Sequence, residues 1–108
     1  MKYNIRHGTD KPEIAARQNK IRDILWSEPD VASTIEAAGL TKSADLGDLL
    51  DVIIRALGLP RTLKELDITR DVLPALSRRA LEDFWAPTNP VPLLKPEQVQ
   101  EILDAVYE

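Results

Sequence analysis

Between Trp85 and Pro96 the chain carries four of its eight prolines, Pro87, Pro90, Pro92 and Pro96. Proline lacks an amide hydrogen, fixes its own φ and pushes the residue before it out of the helical region. This segment can therefore be neither a helix interior nor a central strand. It has to cross a surface in extended form, and its apolar residues predict anchoring by Trp85 and by Leu93 or Leu94. On either side the apolar residues recur at helical period: Leu73, Leu76, Ala80 and Phe84 before the loop, Val99, Ile102, Leu103 and Val106 after it. No segment sustains period-two alternation and no internal repeat is present. The sequence therefore reads as all-α, a single helical bundle of about five helices over residues 1–108 with the proline-rich loop before the last helix.

The remaining elements follow from local signals. Residues 1–9 show no periodicity and read as an extended lead-in. Asp10-Lys-Pro-Glu13 has the form of a helix start, predicting a first helix from about Lys11 to Trp26 that buries Ile14, Ile21, Ile24 and Leu25 and turns Arg17, Lys20 and Arg22 outward. Ser27-Glu-Pro-Asp repeats the start signal for a shorter helix to Ala38, closed by Gly39. Ser43 is placed as the cap of a third helix with the stripe Leu46, Leu49, Leu50, Ile53 and Leu57, ended by Gly58-Leu-Pro60 with Leu59 free to pack back. Thr62-Leu-Lys-Glu65 is a capping box for one short turn through Leu66. Asp71 is placed as the cap of a fourth long helix, with Pro74 at its third position.

Composition narrows the partners. With 44% hydrophobic and 30% charged residues, the chain lies far from the polar, highly charged compositions that stay disordered. At 108 residues it supports one domain and one core, burying about two thirds of its unfolded surface. A net charge of −4, with the basic residues scattered among carboxylates, argues against a nucleic-acid partner. Cysteine is absent, which removes disulfides and thiolate chemistry. The first residues lack the apolar core of a signal peptide and no apolar run approaches the ~20 residues of a membrane span, so the expected setting is cytoplasmic with no membrane contact.

Residues that could carry chemistry are few. His7 is the only histidine, and so the first candidate for acid–base catalysis, although a lone His before Gly is more often a turn residue. It has no partner at ligand spacing, and no metal site is expected. Asp45, Asp48 and Asp51 recur every third residue and read as the polar face of a helix whose N-terminal end favours negative charge. Ser27, Ser33, Ser43 and Ser77 stand beside no base. Trp26, Phe84 and Trp85 are expected to line an apolar pocket or interface, because aromatic side chains dominate both.

Four stretches in order carry a family resemblance: Met1-Lys-Tyr-Asn4, Arg17-Gln-Asn-Lys-Ile21, Leu57-Gly-Leu-Pro-Arg-Thr-Leu-Lys-Glu-Leu66 and Thr88-Asn-Pro-Val-Pro92. In this order and spacing the chain resembles the C-terminal helical region of iron-containing alcohol dehydrogenases, especially maleylacetate reductases. That resemblance implies a helical region that packs against metal-binding helices and walls an active-site cleft. It also implies that the family's metal ligands, one Asp and three His, and its glycine-rich nucleotide loop belong to sequence preceding this region. None can be carried onto residues here, so no cofactor is expected. Val91 stands where the reductases often have Arg, which puts in doubt a substrate-carboxylate contact from that loop.

The leading expectation is therefore a stand-alone helical domain, not redox-active by itself, serving as an interaction or structural module. Its exposed apolar surface is expected to drive self-association, as a twofold dimer, or docking on another polypeptide. One alternative is a subunit of a split NAD(P)-dependent oxidoreductase, completed by a separately encoded partner. The other is a repurposed, cofactor-independent catalyst or small-molecule binder built around Trp26, Phe84 and Trp85.

Overall fold

The computed structural model describes residues 1–108 and is all-α. Its helices are α1 (Lys2–His7), α2 (Pro12–Ser27), α3 (Pro29–Ala37), α4 (Leu46–Ala56), α5 (Leu73–Ala80) and α6 (Pro96–Ala105), with single 3-10 turns at Lys64–Leu66, Arg70–Val72 and Ala86–Thr88. No helix is long and apolar enough to cross a membrane. The chain forms two compact units, Met1–Leu59 and Pro60–Glu108.

In the first unit α2, α3 and α4 pack on one another, with Ile14, Ile35, Leu46 and Leu49 buried between them. Leu49 is fully enclosed, while Leu57, at the end of the predicted stripe, is 67% exposed because the helix has already stopped at Ala56. Both glycine stops form as expected. Gly39 and Gly58 adopt φ of +80° and +69°, and Leu40 and Leu59 donate back to the carbonyls of Ile35 and Ile54 at 3.3 and 3.2 Å. Leu59 remains exposed, so the hydrophobic half of that cap is missing.

Three expectations in this unit are corrected. The lead-in is helical, not extended: α1 forms without burying a single residue, held by Lys2, which reaches the carboxylates of Asp48 and Asp45, and by Gln18 Nε2 donating to the Met1 carbonyl at 3.3 Å. Periodicity could not reveal it, because its stabilising contacts come from residues far along the chain. On α2 the inward stripe is Ile14, Gln18, Arg22, Leu25 and Trp26, while Ile21 and Ile24 face outward. Strict i, i+4 geometry from the buried Ile14 selects Gln18 and Arg22, so Arg22 turns inward, against expectation. The caps also shift. Asp10 does not cap α2, which starts at Pro12 after Lys11, and Ser27 closes α2 with its hydroxyl donating to the Ile24 carbonyl at 2.6 Å. Asp45, not Ser43, caps α4 by accepting the Asp48 amide at 3.0 Å.

In the second unit α5 packs on α6 around Leu73, Ser77 and Val99. The Thr62–Glu65 capping box is present in full: Thr62 Oγ1 accepts the Glu65 amide at 3.2 Å, and Glu65 Oε2 accepts the Thr62 and Arg61 amides at 3.2 and 2.5 Å. The end of the chain returns to this turn, where the Leu63 and Lys64 amides donate to the Val106 and Tyr107 carbonyls at 3.0 and 3.1 Å. Free donors at the start of one turn thus meet free acceptors beyond the end of α6. Arg70 lies 4.1 Å from the centre of the Tyr107 ring and pairs with Asp104 and Glu108 at 3.6 and 3.7 Å. The helix expected from Asp71 is shorter than its apolar pattern. Asp71 sits inside a 3-10 turn without capping, α5 begins at Leu73 with Pro74 in its first turn, and it ends at Ala80. Phe84 thus lies beyond the helix, and within it the buried face is Leu73 and Ser77, so Leu76 and Ala80 are exposed and Leu73 alone of the predicted face is buried.

Candidate functional site

Beyond α5 the chain does not run straight into the proline segment. The amides of Leu81, Glu82 and Asp83 each donate three residues back, at 3.2, 3.0 and 3.4 Å, tightening the helix into its stop. Asp83 then turns the chain: its Oδ1 accepts the Trp85 amide at 3.0 Å and its carbonyl accepts the Ala86 amide at 3.1 Å. The Trp85 carbonyl in turn accepts both the amide and the hydroxyl of Thr88, at 2.9 and 2.7 Å.

This knot of bonds fixes Phe84 and Trp85 edge to face, with centroids 5.2 Å apart and planes at 86°. Edge-to-face contact suits the ring quadrupoles and stabilises such a pair by about 0.5–1.5 kcal/mol. Yet neither ring is covered: Phe84 is 80% and Trp85 68% exposed, and Leu94 further along is 65% exposed. Of the expected anchors of the loop, Trp85 and Leu94 thus stand in solvent, while Leu93 is half-buried.

The loop is held by polar groups instead. The Leu93 amide donates to the Ala86 carbonyl at 3.2 Å, and Asn89 Nδ2 to the Val91 carbonyl at 2.6 Å. Gln98 Oε1 accepts the Leu94 and Lys95 amides at 2.8 and 2.9 Å while its Nε2 donates to the Pro92 carbonyl at 3.2 Å. Gln98 was legible in principle: Gln at the third position of a helix opened by Pro96 is one half of a capping box.

A second feature of this unit is an open groove of about 490 Å³ between α5 and α6, walled by Pro74, Arg78, Pro96, Glu97 and Glu101 with Ser77 at its base. The Ser77 hydroxyl is buried, 2.9 Å from both the Leu73 carbonyl and Gln100 Oε1. Neither oxygen is basic enough to take its proton, so the arrangement does not make Ser77 a nucleophile.

The other residues singled out in the sequence lie in the first unit. His7 is exposed in the last turn of α1, its ring 4.5 Å from that of Tyr3 one turn earlier. Trp26 is half-buried on α2, and its indole Nε1, like Arg22 Nε one turn before it, is buried without a hydrogen-bond partner. The acidic series on α4 divides into a cap and ion pairs. Asp45 caps the helix, Asp45 and Asp48 hold Lys2, and Asp51 accepts from Arg55 Nε at 3.1 Å. The bond to Asp48, with help from the Asp45 charge, raises the Lys2 ammonium above its ordinary value. No three His, Asp or Glu side chains converge as a metal-binding group.

No family model and no solved structure matches the chain. Two curated proteins do. The chain is 41% identical over 105 residues to Dehydrogenase ALT3 of Alternaria alternata, covering 95% of this chain and 26% of that protein. It is 32% identical over 104 residues to Dehydrogenase FUM7 of Gibberella moniliformis, covering 95% of this chain and 24% of that protein. The chain thus spans about a quarter of the length of the curated relatives it matches.

Proposed function

We propose that this chain is the helical, non-redox part of an oxidoreductase of the iron-containing alcohol dehydrogenase and maleylacetate reductase type, and that its role is to pack against the remainder of such an enzyme. The observation that carries this reading is the similarity of nearly the whole chain to a quarter of two longer proteins named as dehydrogenases. A segment conforming along 95% of its length to part of a larger enzyme has the surfaces of a part. The adjoining Phe84 and Trp85 rings, both exposed, agree with that role, since an exposed apolar patch marks an interaction surface.

The residues present do not fit that family's metal. The single imidazole, His7, stands exposed on α1, and no three His, Asp or Glu side chains converge as a ligand group. Redox chemistry is therefore not assigned to any side chain of this protein, and what its own residues supply is a folded wall.

The test is co-expression of this chain with the three quarters of ALT3 that it does not match, followed by light scattering after size exclusion and a nicotinamide-dependent alcohol oxidation assay. A one-to-one complex is expected, with turnover that neither piece shows alone. A chain that stays apart from a remainder able to reassemble with ALT3's own matching quarter refutes the reading.

A further inference from the structure

We propose that the Phe84–Trp85 corner is the docking anchor for that dehydrogenase remainder, inserting both rings into an apolar cleft on it; this rests on the reading above. Three observations single out the corner and its occupant. The first is preorganisation. The turn from Asp83 to Thr88 is closed by four hydrogen bonds among its own residues, and the two rings already brace one another edge to face. Docking such a pair orders little that is not already ordered, which is how a few aromatic side chains come to dominate an interface.

The second is that the corner has no internal function. At 80% and 68% exposure neither ring contributes to the core, and the loop they flank is secured by Gln98 and Asn89 instead. The third concerns size. With aromatic side chains of 150–250 Å² each, the two exposed rings offer on the order of 300 Å². A stable interface takes about 800 Å² from each partner. Any occupant must therefore reach past the corner onto further surface of this chain. The remainder of the relatives is about three times the length of the quarter that matches this chain and is joined to that quarter in them, which makes it the occupant able to extend past the corner and supply the rest of the area.

The two tryptophans make the test direct, because Trp26→Phe leaves Trp85 as the only indole. In that background we expect Trp85 emission of the chain alone to be that of a water-exposed indole and unchanged on dilution. In complex with the ALT3 remainder it shifts to the blue, and Phe84→Ala with Trp85→Ala weakens binding at least tenfold while leaving the far-ultraviolet circular dichroism of the chain intact. The remainder is first validated against ALT3's own matching quarter, and is fused to this chain through a cleavable linker if it is not soluble alone. A complex that forms with unshifted emission, and with equal affinity for the double variant, overturns the anchor and leaves the proposed function standing. No complex at all with a validated remainder overturns both. A homodimer that the double variant converts to monomer overturns the anchor in favour of a second copy.

Discussion

Replacing Gly58 and Gly47 by alanine in turn should give different answers from the same added methyl group. Gly58 follows α4 at φ +69° with nothing within 4 Å of where a Cβ would lie. The cost there is purely backbone: a left-handed L-residue is disfavoured by roughly 1–2 kcal/mol. Against this, alanine restricts the unfolded chain and returns about 0.4–1 kcal/mol. The net expectation is a loss of about 1 kcal/mol. Gly47 lies in the first turn of α4, where alanine gains up to about 1 kcal/mol of helix propensity. Its Cβ would meet Lys2 Cε at 3.0 Å and Lys2 Cγ and Asp45 Oδ1 at 3.1 Å. Lys2 is a flexible side chain more than half exposed, so it can swing aside and forfeit an ion pair worth at most about 1 kcal/mol, while the capping Asp45 carboxylate has to give by only a few tenths of an ångström. Gly47→Ala should therefore be close to neutral, with Lys2 released. Urea denaturation followed at 222 nm measures both, and the slope should not change, because neither substitution alters the surface exposed on unfolding. If Gly58→Ala is as stable as the parent, the left-handed stop is not where the chain places it. If Gly47→Ala loses more than about 1 kcal/mol, the Lys2 contact is rigid and the ledger for it is wrong.

Two further outcomes follow from single side chains. Gln98→Ala removes the acceptor for two amides and the donor to Pro92, and should cost about 1–2 kcal/mol in the same assay, the range of a lost helix cap. Amide exchange at Leu94 and Lys95 should quicken in that variant, and Gln98→Glu, which keeps the acceptor, should restore slow exchange. Lys2 has its proton held more tightly in the folded chain than in the unfolded one, first by the bond to Asp48. Its contribution to stability is thus complete below its unfolded value and is lost as pH rises through the elevated folded value, above 10.5. Parent and Lys2→Met should differ by less than about 1 kcal/mol at neutral pH, and the gap should close in strongly alkaline solution, as read by urea midpoints across that range.

Some signals confined to a few adjacent residues were legible in the sequence, although the caps expected of Asp10, Ser43 and Asp71 do not form. The two glycine stops, the Thr62–Glu65 box and the apolar stripe of α4 as far as Ile53 each depend on fixed local offsets, and each stands where those offsets place it. Much of what could not be read depends on distant residues. Helix α1 has no apolar face and owes its place to carboxylates more than forty residues on. The inward stripe of α2 follows a rotation that hydrophobicity alone sets wrongly, since it includes Gln18 and Arg22 and leaves out two isoleucines. The closure of the Leu63 turn by Val106 and Tyr107 is backbone to backbone and leaves no mark on side-chain pattern.

Phe84 is the most informative of these departures. Leu73, Leu76, Ala80 and Phe84 are spaced for one buried helical face, and no glycine or proline falls between Ala75 and Ala86 to interrupt it. The chain nevertheless leaves the helix at Ala80, and Asp83 uses its carboxylate to hold the Trp85 amide in a turn that a helix would not allow. Local bonding thus prevails over the hydrophobic pattern, and the result is two aromatic rings standing in water. In sequences whose local and global preferences otherwise agree, such conflicts gather where function requires them. A partner that covers Phe84 and Trp85 resolves this one: the apolar spacing is then satisfied by burial against another surface, and the Asp83 turn is the device that presents it.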